Sequence, residues 1–345
     1  MHQCKRSQRQ NRNGGALISA IFITAIAAII ATALVVEQRL LIHEGSLVIR
    51  GDQGYLNLQG MQYEAELAIE KYAIALDNHK SPNGTFVPLE SKLPTIEMNK
   101  MVLSGTIEDE QGKFNLNDLV YSANQPQFVA LLRGLMPQIP VQKAYMIAKA
   151  ITTWLTSNAD DAYYLKWHPP YRAPQDQMAD ISELQLVMGV TPEIYLALEP
   201  YVTALPVQIS VQATSTPSPQ TSQPPQNPGT PAPASNAPGT PINVNSASAP
   251  VLLTVSPDLS LSKAASIVAC RKQYGGFTST ATFIADCVKS QGVTTMNNIT
   301  TNSTYFLSRT DARYGDHVIV LTRLWVTQIQ KNNTLKVVVV WQSFE

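Results

Sequence analysis

Few side chains in this 345-residue chain are spaced for chemistry. The five histidines (His2, His43, His79, His168 and His317) are scattered. No nucleophile elbow, zinc-ligand spacing or phosphate loop accompanies them. His168, beside Pro169-Pro170 and Tyr171, reads as loop packing rather than as a general base. Catalysis is therefore not expected. Cys4 belongs to the basic N-terminal segment, which leaves Cys270 and Cys287. In an exported domain these two either close a bridge, whose loop contributes about 3 kcal/mol, or stay as reduced buried thiols. Asp180 and Glu183 have capping-box spacing, with Asp180 as N-cap and Glu183 three residues on.

The elements that must carry these residues begin with a membrane signal. A leader holding Lys5, Arg6, Arg9 and Arg12, with no acidic residue, runs to Gly14-Gly15. An uncharged apolar stretch, Ala16–Val36, follows. As a helix it is roughly 31 Å long, enough to cross the hydrocarbon core of a bilayer. Ser19, Thr24 and Thr32 interrupt it, and each can return its hydroxyl to a backbone carbonyl. The leader's charge keeps the N-terminus cytoplasmic and sends the chain after Glu37 across the membrane. Residues 1–14 thus read as leader and 15–36 as the membrane part of a helix.

The chain is formally neutral, with 25 basic and 25 acidic residues, and only 14% of it is charged. Loss of the four leader cations leaves a mature product near −4, which argues against a broad phosphate-binding surface. Helical periodicity recurs from Glu37 to about His79, with Tyr63, Leu67, Glu70 and Ile74 near one face. Gly45, Gly51, Gly54 and Gly60 predict interruptions, and Ser81-Pro82-Asn83-Gly84 predicts a loop. Met101–Ile107, a turn at Glu110-Gln111-Gly112 and a return from Lys113-Phe114 read as a hairpin that closes a first part, 37–118.

Residues 119–206 read as a helical domain, helical throughout from Gln125 to Ala204. Phe128, Leu131, Leu132 and Leu135 form one apolar face, and Ala144, Ile147, Ala148, Ile151 and Leu155 another. No charge occurs between Pro200 and Pro257, and nine prolines fall within 211–241. That composition predicts a linker or surface loop over 207–241. A second helical part over 242–300 opens at Ile242-Asn243-Val244-Asn245-Ser246-Ala247, with helices near Pro250–Thr254, Ser262–Lys272 and Ser279–Ser290. Strands at Tyr305–Ser308, His317–Gln330 and Thr334–Phe344 fill 301–345, with a turn at Asn332-Asn333. Strands on both sides of helical blocks predict an α+β fold: a sheet with a helical insertion.

The junction of leader and apolar run resembles the class III signal of type IV pilins and pseudopilins, whose peptidase cuts at the glycines and leaves the helix on the protein. The pattern places Gly14 or Gly15 at the cut. The fifth mature residue is then Ser19 or Ala20, where the pattern usually has Glu. Two readings follow from this end alone, a simple signal anchor or the pseudopilin class that lacks this Glu. Downstream, Gly112–Leu119, Met178-Ala179-Asp180-Ile181-Ser182-Glu183-Leu184 continuing through Val187, Gly189 and Tyr195 to Leu205-Pro206, Ile242–Ala247 and Thr304-Tyr305-Phe306 occur in series. In order and spacing the mature chain resembles the minor pseudopilin K family of type II secretion systems, with the Pro-rich tract as an insertion.

That resemblance implies a pilin-like fold and assembly through the N-terminal helix, with Ala16, Leu17 and Ser19 in its first turns. It also implies single-pass residence in the inner membrane of a Gram-negative bacterium, with the C-terminal domain in the periplasm. The implied partners are the I-type and J-type minor pseudopilins, the inner-membrane assembly platform, the prepilin peptidase and the lipid bilayer. No nucleic acid is expected. The family is thought to cap the pseudopilus and initiate the fibre that exports folded proteins. A helix without the Glu offers no ion pair to a subunit above it, and it buries no unpaired carboxylate in hydrocarbon.

Members of the family often hold calcium between the tryptophan-containing helix and the Asp-Ile-Ser-Glu-Leu motif. The donors carried over to this chain are Asp160, Asp161, Asp180 and Glu183. Oxygen donors suit calcium, but Thr156 and Asn158 stand where the family pattern usually has Asp. A rival reading takes 242–285 as the helix-hairpin-helix of membrane-anchored competence DNA receptors, on Ile242–Ala247, Lys263–Ile267, Arg271-Lys272 and Gly275-Gly276-Phe277. DNA-binding hairpins need glycines, so that backbone N–H groups approach phosphate. Here the turn is Ser256-Pro257-Asp258-Leu259-Ser260, with no glycine and an added negative charge.

Overall fold

A computed structural model of the chain describes residues 13–77, 86–207, 239–329 and 334–344. Helix α1 (Asn13–Asp77) is 65 residues long and continuous. The interruptions predicted at Gly45, Gly51, Gly54 and Gly60 do not occur. A glycine costs a helix interior about 1 kcal/mol, which flanking helix formers and packing of the upper half outweigh. Gly54 has a positive role: a Cβ there would meet Ile319 Cδ1 at 2.6 Å, so its absence lets α1 approach the sheet.

Leu58, Met61, Gln62, Ala65, Ile69 and Tyr72 form the buried stripe of α1. The stripe singled out from sequence, Tyr63, Leu67 and Ile74, is exposed on another face. Both stripes have helical spacing, and it is the sheet that selects between them. The inner one carries the small Ala65, fully buried.

The strands are β1 (Ile96–Met98), β2 (Met101–Asp109), β3 (Phe114–Asn115), β4 (Val202–Thr203), β5 (Ile242–Asn243), β6 (Ile299–Thr300), β7 (Tyr305–Tyr314), β8 (His317–Ile329) and β9 (Leu335–Phe344). Five of them make an antiparallel sheet in the order β1-β2-β7-β8-β9. Alternation along β7 buries Phe306, Ser308, Thr310 and Ala312 against α1 while Arg309 and Arg313 face out. The hairpin predicted at Met101–Phe114 is corrected. A 3-10 turn at Glu110–Gly112 redirects the chain, and β2 pairs with β7, from Val102↔Arg313 to Asp109↔Phe306.

Phe114-Asn115 instead starts a helical module closed by a parallel ladder, β3 with β4. A second module is closed in the same way by β5 with β6. Between β3 and β4 lie α2 (Gln125–Leu135), α3 (Val141–Leu155) and α4 (Pro192–Leu198), the helices of the first module. The second holds α5 (Ala249–Leu252), α6 (Leu261–Tyr274) and α7 (Thr280–Phe283), the last running on into a π turn. Residues 156–191 carry only short 3-10 turns, so the first module is not helical throughout; Pro169, Pro170 and Pro174 bar a regular helix there.

Three cores result, one under the sheet and one in each module. Phe114 and Leu116 belong to the first module's core, so it begins before residue 119. The modules touch at Gly134, where a Cβ would stand 2.3 Å from Leu253 Cδ1. The architecture is α+β: a long helix on an antiparallel sheet that carries two helical modules. Leader residues 1–12, the loop Ser81–Gly84, residues 208–238 and the Asn332-Asn333 turn lie outside the described residues.

Candidate functional site

Below Arg50, α1 is bare. From Leu17 to Glu44 every residue is exposed, and this is a helix long and apolar enough to cross a membrane. Its hydroxyls are satisfied within the helix. Ser19 Oγ donates to the Gly15 carbonyl at 2.8 Å, Thr24 to Ile21 at 2.9 Å and Thr32 to Ala28 at 2.8 Å. Gly14, Gly15, Ala16 and Leu17 stand in the first turns. Such a surface has no chemistry to offer a small substrate; what it fits is lipid or other apolar helices.

Above Arg50, α1 is clamped to the sheet. Gln62 Nε2 donates to the Leu321 carbonyl at 2.8 Å and to Thr310 Oγ1 at 3.0 Å. Ser308 donates to Gln62 Oε1 and accepts the Trp325 indole N–H at 2.7 Å. All of these side chains are buried, so the network fixes both rotation and height of the helix. The clamp also has a direction. At the membrane end, Arg50 stacks on Tyr314 at 4.5 Å. At the far end, Tyr72 meets Phe306 edge to face at 5.7 Å, and Phe306 is in register with Asp109. Both modules attach beside Asp109, at the end of the sheet away from the apolar span.

That attachment is built from three acids, Glu110 and Asp118 buried and Asp109 half-buried. Asp109 accepts hydrogen bonds from Asn243 Nδ2 at 2.8 Å, from Ser246 Oγ and from the Gln111 N–H, which ties the sheet to the second module. Glu110 pairs with Lys113 at 2.8 Å and accepts from Thr203 Oγ1, tying the sheet to the first module's exit. Asp118 accepts from the Thr240 N–H at 2.7 Å. Burial raises all three carboxyls, against their hydrogen bonds, and Asp118 reaches about 6.

Sequence reasoning missed this junction, yet a signal was present. Phe114-Asn115-Leu116-Asn117 and Ile242-Asn243-Val244-Asn245 repeat one pattern. Asn117 clasps the Met178 backbone through Oδ1 and Nδ2 at 2.8 and 3.0 Å, and also reaches the Leu205 carbonyl. Asn245 clasps Phe277 at 2.8 and 2.7 Å and reaches the Thr301 carbonyl. In both modules the second Asn thus buckles the far loop to the closing ladder.

The four expected calcium donors are not assembled. Asp160 accepts from the Ala162 N–H at 3.0 Å, and Asp161 pairs with Arg172 at 3.2 Å. Asp180 accepts from the Ser182 N–H at 2.8 Å, as an N-cap does. Glu183 accepts from the Ala179 N–H at 2.7 Å and from the Trp154 indole at 3.2 Å. Among the described residues no group of three or more metal-ligating side chains converges. As placed, this donor set does not fit calcium, because the four carboxylates turn to separate local partners and do not converge on one point.

Cys270 and Cys287 are joined by a disulfide between α6 and the π turn. Arg271, one of the residues that suggested phosphate contact, is buried and donates to the Val244 and Ala247 carbonyls. Burial lowers its pKa. In the interhelical turn, Ser256 is buried and Asp258 is held by Thr294 at 3.1 Å.

Residues 112–207 and 242–302 match two family models, each described as type II secretion system (T2SS), protein K. Type II secretion system protein K of Pseudomonas aeruginosa is 27% identical over 217 residues, which are 57% of this chain and 63% of that protein. The Aeromonas hydrophila protein is 27% identical over 230 residues, 60% of this chain and 66% of its own length. The chain thus spans just under two thirds of the curated relatives it matches. A chain of the GspK-GspI-GspJ complex from enterotoxigenic Escherichia coli superposes with a TM-score of 0.50 at 18% identity, covering 84% of this chain and 98% of that one. This likeness supports the fold.

Proposed function

We infer from the matches over residues 112–207 and 242–302 that the chain belongs to the type II secretion system protein K family, and we propose that it is the minor pseudopilin at the tip of the pseudopilus. It acts by assembly, not by catalysis. α1 anchors it in the inner membrane by a single pass, with residues beyond the span in the periplasm, after the prepilin peptidase has cut at Gly14 or Gly15. The bare stretch of α1 packs against helices of I-type and J-type minor pseudopilins. The related complex from enterotoxigenic Escherichia coli, of GspK with GspI and GspJ, supports that choice of partners.

The observation that carries the reading is where the modules sit. They leave the sheet beside Asp109 and Tyr72, at the end opposite the apolar span. A subunit stacked above would have to displace them, whereas helices can still pack below. Ser19, whose hydroxyl is turned back to Gly15, offers no carboxylate to a neighbour above. The test is co-purification of the full-length chain, in detergent, with I-type and J-type pseudopilins. A stable ternary complex is expected, and its absence would contradict the reading. Retention on duplex DNA at low salt would favour the DNA-receptor alternative, which the internal role of Arg271 disfavours.

A further inference from the structure

We infer that the first helical module closes its 156–176 loop without a divalent cation, and that Gln175 and Arg172 do the fastening. The family resemblance implies calcium here, and the residues present do not fit it. The loop has two arms. One descends from α3 through Thr156, Asn158, Asp160 and Asp161; the other returns through Arg172 and Gln175.

Gln175 joins the arms with both ends of its amide. Its Oε1 accepts the Asn158 N–H at 2.9 Å, and its Nε2 donates to the Ala159 carbonyl at 2.9 Å. Asn158 and Gln175 both hold positive φ, 58° and 55°, at the two ends of this clasp. Arg172 adds the second tie, 3.2 Å from Asp161. Its guanidinium neutralises the one carboxylate that is largely buried in this loop, 13% exposed, and it would repel an arriving cation. Asp160 is turned to the Ala162 N–H, and Thr156 returns its hydroxyl to Thr152 at 2.7 Å. A calcium ion needs six to eight converging oxygens; here a neutral amide and a tethered cation take its place.

The inference concerns how this module folds and is independent of where the chain sits in an assembly. It is tested on the full-length chain in detergent, stripped with chelator and then titrated with calcium chloride to about 1 mM. The wild-type melting temperature is expected to stay unchanged, with no saturable heat of calcium binding. Gln175→Ala is expected to lower the melting temperature by about 3–6 °C, and calcium should not restore it. If that variant fails to fold, Gln175→Glu keeps the acceptor for Asn158, loses the donor to Ala159 and should show a smaller drop. A calcium-dependent rise that Asp160→Asn or Asp161→Asn abolishes would overturn the inference. So would an unchanged melting temperature in the Gln175 variants.

Discussion

Gln62 on α1 donates its side-chain amide to the carbonyl of Leu321 on β8 at 2.8 Å, with both residues fully buried. That bond, with Ser308, Thr310 and Trp325 around it, joins the membrane helix to the sheet. Gln62→Leu keeps most of the volume but leaves the buried Ser308 O–H without its acceptor and takes one bond each from Thr310 and the Leu321 carbonyl, which keep each other at 3.1 Å. The loss should be about 2–4 kcal/mol, seen as a lower melting temperature of the detergent-solubilised chain. A change within about 0.5 kcal/mol would show that apolar packing alone sets the clamp.

Asp118 should make stability depend on pH. Its carboxyl rises from 3.8 to about 6 in the fold, chiefly through burial. The folded state therefore binds the proton more tightly than the unfolded one. The contribution is complete below pH 3.8 and is lost as pH rises through about 6. The shift corresponds to about 3 kcal/mol. Asp118→Asn should flatten the fall in melting temperature between pH 4 and 6, in side-by-side melts with wild type. An unaltered slope would place the titrating group elsewhere, with Asp109 and Glu110 next in line.

The Cys270–Cys287 bridge closes a loop with a sequence separation of 17. Replacing both cysteines by alanine should cost about 3 kcal/mol, and reductant should lower the wild-type melting temperature to a similar degree. A double variant as stable as wild type would mean that the second module's core holds this region unaided.

Ser19→Glu asks whether the missing carboxylate matters. The residue lies in a fully exposed turn of α1, so Glu should be tolerated in the membrane. It should bring no gain in pseudopilus assembly, measured by sheared-fibre yield in a secreting strain. A marked gain would identify an ordinary fibre subunit.

The last two strands are read to within a residue, because β8 and β9 are long, β-branched and bounded by polar turns, whereas β7 runs six residues past the Ser308 end expected from sequence. The anchor was plain from its apolar run. The hairpin return at Phe114 failed, because a turn-like Glu110-Gln111-Gly112 says that the chain bends but not which strand it meets next. The glycines of α1 misled for a related reason: local propensity is a weak prior against a helix held from one side. Nothing in the sequence marks Asp109, Glu110 and Asp118 as a junction, since only the tertiary fold encloses them. The four calcium donors expected from the resemblance are of the right type, but their spacing could not show that each is turned to a separate local partner.

The most direct test of the tip position is site-specific photo-cross-linking in assembled pseudopili. One probe replaces Val48, 65% exposed on the bare part of α1, and another replaces Met146, 61% exposed on the first helical module. The account predicts adducts from Val48 to partner pseudopilins and none from Met146 to the major pseudopilin. Cross-links from Met146 to the major pseudopilin would put a subunit above the modules and contradict it.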